Sequence, residues 1–192
     1  MNKGRLEAFS DGVFAVIITI MVLEMKVPQG ASLAALIPVL PVFLVYVLSF
    51  VNVGIYWNNH HHMLHAVERV DGRSMWANLH LLFWLSLLPF TTGWMGENHF
   101  AALPTAAYGL VLLMAGVAYN LLQATLVAAD NGRRAALSRA VGRDIKGKLS
   151  VVLYVCALPL AFLSQWIADG IYVAVALMWI VPDRRIEKVL AA

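Results

Sequence analysis

Residues 5–28 read RLEAFSDGVFAVIITIMVLEMKVP. A polar opening turn, Arg5, Glu7, Ser10 and Asp11, leads into an apolar run from Gly12 to Leu23 that only Thr19 interrupts. A helix facing nothing but lipid has no use for an Arg, a Ser and an Asp near its buried end, because ionisable groups there cost several kcal/mol unless paired. At about 100° per residue, with Val16 as origin, Thr19, Ile20 and Leu23 fall within roughly 60° of it, and Phe9 and Gly12 lie on the same side. Ser10 and Asp11 fall about 120–140° away, toward other protein. The spacing leaves two readings open. One is an ordinary amphipathic packing face. The other is a pore-lining strip that forms a constriction, with the polar pair anchoring the helix to its neighbours.

Outward from this stretch, the composition fixes the class. The 192 residues are 61% hydrophobic and 13% charged, with a mean hydropathy of +0.74, too apolar and charge-poor for a soluble domain. The formal charge of +3 is carried by basic residues confined to short segments between apolar runs. That distribution fits membrane topology rather than a nucleic-acid partner. Cys156 is the only cysteine, so there is no disulfide framework and no paired-cysteine metal site. Glu7 and Asp11 in the opening turn, with no small-x-small cleavage pattern after Leu23, mark the first apolar run as a retained span rather than a leader.

With about 20 apolar residues needed per crossing, the windows predict an all-α membrane protein of six transmembrane helices forming one domain over residues 1–192. The spans are expected near 5–27, 33–57, 74–95, 101–128, 149–166 and 168–182. Pro28, Gln29 and Gly30 mark a tight turn after the first. Pro38 and Pro41 are tolerable in the opening turns of the second. The last window, between Lys148 and Asp183, would be about 50 Å long as one helix, against a hydrocarbon core of about 30 Å. It is therefore split at 165–170. Under this topology Lys3, Arg5, Arg69, Arg73, Arg133, Arg134, Arg139, Arg143, Lys146, Lys148, Arg184, Arg185 and Lys188 share one side, and Lys26 alone is on the other. The positive-inside rule then places both termini in the cytoplasm of a multi-pass protein of the cell membrane. Residues 133–148, RRAALSRAVGRDIKGK, read either as a basic amphipathic helix on anionic lipid or as a solvated loop carrying the topology signal.

Histidines cluster at the end of the second span: His60, His61, His62 and His65, with His80 in the third and His99 outside. His61 and His65 have an i, i+4 spacing that can bind a metal, but no acidic residue or cysteine stands at a companion spacing. Hydrogen bonding among helices is the expected role, and no metal or other cofactor is assigned. Trp57, Asn59, Trp76 and Asn78 flank the same polar stretch. A buried Asn, a His and the Ser10–Asp11 pair at one depth can satisfy one another, at about 0.6–2 kcal/mol per contact.

These residues carry a resemblance. Arg5, Phe9, Ser10 and Asp11 spell R-x-x-x-F-S-D ahead of the apolar run and L-E-x-K-V-P. Trp57, Asn59, His60 and His61 spell W-x-N-H-H, and Asn78, Leu79, Ser86, Pro89, Phe90 and Thr92 trace a third pattern. Together they resemble the prokaryotic members of the transmembrane protein 175 family of potassium channels, closely in the first half of the chain and in span count and loop charge in the second. The resemblance implies a homotetramer of six-helix subunits with the first helices around a central pore, permeated by K⁺ and other monovalent cations and narrowed by Val16, Ile20 and Leu23 with Thr19 alongside. It further implies that Arg5, Ser10 and Asp11 tie the first helix to the second and third through His60 or His61 and Asn78. Family members often carry isoleucine where Val16 stands, so the first layer is wider here; Thr91 and His62 are milder departures. The resemblance thus implies a potassium-preferring passive channel with no enzymatic activity and no cofactor beyond the permeating ion. Two other classes are a secondary transporter, which would normally show internal repeats and broken helices, and a histidine-based metal or haem protein.

Overall fold

The computed structural model describes residues 3–129 and 145–180. Within them the chain is helical throughout: α1 (Lys3–Leu23), a 3-10 segment (Leu33–Val39), α2 (Leu40–His65), α3 (Gly72–Ser86), α4 (Leu88–Glu97), α5 (Ala102–Ala129), α6 (Ile145–Leu163) and α7 (Gln165–Ile180). Four stretches are long and apolar enough to cross a membrane: Lys3–Leu23, Leu33–His65, Ala102–Ala129 and Ile145–Leu163. The α3–α4 pair and the shorter α7 complete a six-helix arrangement. Much of the basic segment 133–148, and the basic residues from Arg184 onward, lie outside the described residues.

Prolines set the irregularities. Pro38 sits inside the 3-10 segment and Pro41 in the first turn of α2, where a missing N–H is tolerated. The expected third span is two helices because Pro89 has no N–H to give and its ring crowds the preceding turn. Leu87 instead donates to Trp84 O at 3.2 Å, and Ser86 Oγ to Phe83 O at 2.7 Å. The expected turn after α1 is present, with Gly30 at φ 117°, a conformation open to a residue without Cβ. The last window breaks at Ser164, just before the expected 165–170. Ser164 is the non-helical residue between α6 and α7, its N–H donating back to Leu160 O at 2.8 Å and its carbonyl accepting from Ile167 N at 3.1 Å, while Gly170 continues within the helix. Asp71 caps α3, accepting from Ser74 N at 2.8 Å and Ser74 Oγ at 2.9 Å, and these donors hold its carboxyl below the usual carboxylate range.

α5 is the central post, packed against α3, α4, α6 and α7, while α1 lies at one edge against α2, α3 and α4. The buried middle is partly polar. Ser49 Oγ on α2 meets Thr92 Oγ1 on α4 at 2.7 Å and donates to Tyr108 Oη on α5 at 3.0 Å. Tyr172 Oη on α7 donates to Thr105 O at 3.2 Å, and that hydroxyl lies against Gly109, where a Cβ would collide with it.

At Gly96 a Cβ would stand 2.5 Å from Val42 Cα, so α2 and α4 touch backbone to backbone, whereas at Gly170 nothing lies within 4 Å. Gly96→Ala is expected to cost about 1–3 kcal/mol through overpacking, while Gly170→Ala leaves stability unchanged or raises it by about 0.5–1 kcal/mol. Thermal unfolding of the detergent-solubilised protein reads both; equal melting of the two variants would contradict the close approach.

Candidate functional site: a buried polar tie behind an exposed apolar strip

α1 has two unlike sides. Leu6, Ser10, Phe14, Ile17 and Met21 form its buried strip. On the other side Phe9, Val16, Ile20 and Leu23 are 53%, 55%, 41% and 75% exposed in the single subunit. Thr19 belongs to this outer side, and its hydroxyl is spent on Ala15 O at 2.9 Å.

The inner strip is held by a chain of hydrogen bonds across three helices. Ser10 Oγ donates to Leu6 O at 2.8 Å and accepts from Asn78 Nδ2 on α3 at 3.0 Å. Since the Asn78 nitrogen faces Ser10, its oxygen faces His60 on α2, at 2.7 Å from Nε2. His60 therefore carries its proton on Nε2. Ser10 and Asn78 are fully buried and His60 is 2% exposed, and the His60 ring stands edge-on to Phe14 at 5.7 Å. An orphaned amide or hydroxyl here would cost about 1–3 kcal/mol. The three side chains thus fix the register of α1 against α2 and α3.

A second, exposed tie runs from Trp57 Nε1 to Asp11 Oδ1 at 2.9 Å. Trp57 stacks on His61, and His61 on His65. A third, not anticipated from sequence, is Lys3 Nζ donating to Val67 O at 3.1 Å, with Glu7 3.8 Å from the same ammonium. Nothing local announces it, since its acceptor is a backbone carbonyl 64 residues away.

The remaining anchor candidates lie elsewhere. Arg5 is exposed and makes no tie to α2 or α3 among the described residues. Phe9 faces outward with the apolar strip. Among the described residues His61 is linked to α1 by way of Trp57, on which it stacks. Asn59 donates to Ile55 O in its own helix at 2.9 Å. Two residues along a helix is about 200°, so Asn59 cannot share a face with Trp57. Among the described residues no three His, Cys, Asp or Glu side chains converge on one point.

Two concavities flank the strip. A groove of about 470 Å³ runs between α1 and the α3–α4 break, lined by Ala8, Phe9, Gly12, Val16, Ile20 and Pro89 among others. Beyond the C-terminal end of α1, a vestibule of about 480 Å³ holds Glu24, Lys26, Gln29, Glu97 and His99. Lys26 pairs with Glu97 at 2.7 Å, leaving the Glu24 carboxylate resting against Gly93.

An edge helix anchored inward by buried polar groups and apolar outward, in an all-helical bundle with four long apolar spans, defines a multi-pass membrane protein. Residues 5–89 match the family model described as endosomal/lysosomal potassium channel TMEM175. A protein named potassium channel from Chryseobacterium sp. (strain P1-3) is 53% identical over 190 residues, 99% of this chain and 98% of that one. Another so named, from Chamaesiphon minutus, is 30% identical over 92% of each chain. A crystal structure described as a lysosomal potassium-selective channel TMEM175 homolog from Chamaesiphon minutus superposes with a TM-score of 0.82 at 30% identity, covering 94% of this chain and 97% of that one. The chain belongs to the TMEM175 family.

Asn78→Leu, which leaves both Ser10 and His60 without their partner, is expected to lower stability by about 1–3 kcal/mol. Adding Ser10→Ala and His60→Phe should return part of that loss, because no buried polar group is then orphaned. Unfolding midpoints in detergent decide it, and a triple variant no better than the single one would refute the tie.

Proposed function

We propose that the chain forms a homotetrameric, potassium-preferring channel in which four copies of α1 surround a central pore. The observation that carries this reading is the opposition on α1: a buried polar tie fixes one side, and the other turns Val16, Ile20 and Leu23 out of the subunit. The relatives named potassium channels, and the potassium-selective homolog on whose crystal structure this fold superposes, support the same activity. In this assembly the groove beside α1, with Gly12 open on its floor, receives a neighbouring α1. Both chain ends face the cytoplasm, in keeping with the distribution of basic residues.

The chemistry of conduction follows. Rings of apolar side chains exclude ions by dewetting when narrow and pass them when widened, without carbonyl ligands. An ion crossing such a ring sheds part of its hydration shell, and K⁺ sheds it more readily than Na⁺, which gives a modest preference. At the vestibule, Lys26 and Glu97 cancel and Glu24 leaves one negative charge per subunit. Four such charges at a mouth with low-dielectric walls concentrate cations. The ion passes down its gradient with no catalytic step and no cofactor.

The test is flux into liposomes under a K⁺ gradient. Uncoupled K⁺ flux is expected, and Ile20→Asn or Leu23→Asn should raise it severalfold by wetting the constriction. A flux that requires a second solute, or that neither substitution alters, would overturn the reading. The detergent-solubilised complex should carry a protein mass of four times 21.1 kDa.

A further inference from the structure

Asn59, which the tie to α1 leaves unused, opens onto a different space. A crevice of about 50 Å³ lies between α2, α5, α6 and α7, lined by Tyr56, Asn59, Asn120, Ser150, Tyr154 and Trp179 among others. The volume suits a group of roughly three to five non-hydrogen atoms, judged by the space one water needs. No carboxylate lines it.

Its polar groups are incompletely used. Asn59 and Asn120 each spend one amide N–H on their own helix, on Ile55 O and Gly116 O at 2.9 Å, leaving the second N–H of each. The Tyr56 and Tyr154 hydroxyls have no hydrogen-bond partner among the described residues, although Tyr154 is only 3% exposed. By contrast Trp179 Nε1 is committed to Ser150 Oγ at 2.8 Å. At the rim the Lys146 ammonium sits 5.9 Å over the Trp179 ring and donates to Met178 O at 3.3 Å. Tyr56, Asn59 and Asn120 are half-buried and Tyr154 is buried, so four O–H and N–H groups with donor capacity to spare line one space close to the Lys146 cation. The space is complementary to a compact, multiply accepting anion.

Its place in the bundle narrows the source. The crevice is built from the C-terminal halves of α2 and α5, the N-terminal half of α6 and the C-terminal end of α7, the end where the sequence concentrates its Lys and Arg. Beside it α6 exposes Leu149, Val152 and Val155 along one side. Basic pockets between transmembrane helices at this level bind anionic lipid headgroups.

We propose that this crevice is a phosphate-ester site, filled by the phosphate of an anionic phospholipid whose acyl chains run along α6. Tyr56 and Tyr154 donate O–H, Asn59 and Asn120 donate N–H, and Lys146 supplies the countercharge. The site is separate from the α1 strip, so it stands or falls independently of the conduction pathway.

The test uses the intact complex carried through a mixture of phosphatidylglycerol and phosphatidylcholine vesicles into detergent, with bound lipid counted by native mass spectrometry. Wild type is expected to retain phosphatidylglycerol in preference to phosphatidylcholine. The Tyr56→Phe/Tyr154→Phe variant, which removes only hydroxyls, and Lys146→Gln at the rim should each weaken that retention by about tenfold. An Arg73→Gln variant away from the crevice serves as control and keeps it. Inorganic phosphate at millimolar concentration distinguishes the sources: undisturbed retention assigns the site to lipid, and displacement assigns it to a soluble phosphate ester. Equal retention of the two lipids by wild type, or equal retention by wild type and both variants, overturns the proposal.

Discussion

The hydrogen-bond chain from Ser10 through Asn78 to His60 is the constraint on which the rest of the subunit depends. In a bilayer an apolar side chain gains little by exchanging lipid for another helix, since acyl tails are as apolar as leucine. Phe14, Ile17 and Met21 therefore pack α1 against its neighbours without choosing its rotation. Three polar side chains buried at one depth do choose it, because any other rotation strands a hydroxyl, an amide and an imidazole in hydrocarbon. Once that side is fixed, the helical period turns Val16, Ile20 and Leu23 outward.

The same logic recurs elsewhere in the bundle. Ser49, Thr92 and Tyr108 join α2, α4 and α5 by hydroxyl contacts, and Tyr172 closes α7 onto α5 through the Thr105 carbonyl. Missing side chains work alongside these ties. Gly96 lets α4 touch the α2 backbone, and Gly109 makes room for the Tyr172 hydroxyl. Close approach and hydrogen bonding, rather than hydrophobic burial, hold such a bundle together. Against that background the crevice between α2, α5, α6 and α7 stands apart, because the Tyr56 and Tyr154 hydroxyls and one N–H each of Asn59 and Asn120 are not spent on ties between helices.

Motif residues that adjoin in sequence prove to serve different neighbours. Within W-x-N-H-H, Trp57 and His60 turn toward α1 while Asn59 points away into the crevice. In R-x-x-x-F-S-D, Ser10 is buried in the tie, Asp11 meets Trp57 at the surface, and Phe9 joins the exposed strip. The linear patterns identify the family, but rotation about each helix axis assigns the roles.

Apolar run lengths, prolines and the spacing of Val16, Ile20 and Leu23 are properties of the chain alone. They sufficed for an all-helical membrane protein, for the turn that follows the first helix and for one apolar face on that helix. Whether that face packs inside the subunit or looks out of it was undetermined, because a period of 3.6 defines a face without naming its neighbour. Only the tertiary arrangement decided this, by bringing Asn78 from 68 residues away onto Ser10 and Val67 O onto Lys3. Contacts so distant in sequence leave no periodic trace. The geometry of partner groups in space, and the cost of leaving them unmet in hydrocarbon, is what selected one rotation among those the sequence permits.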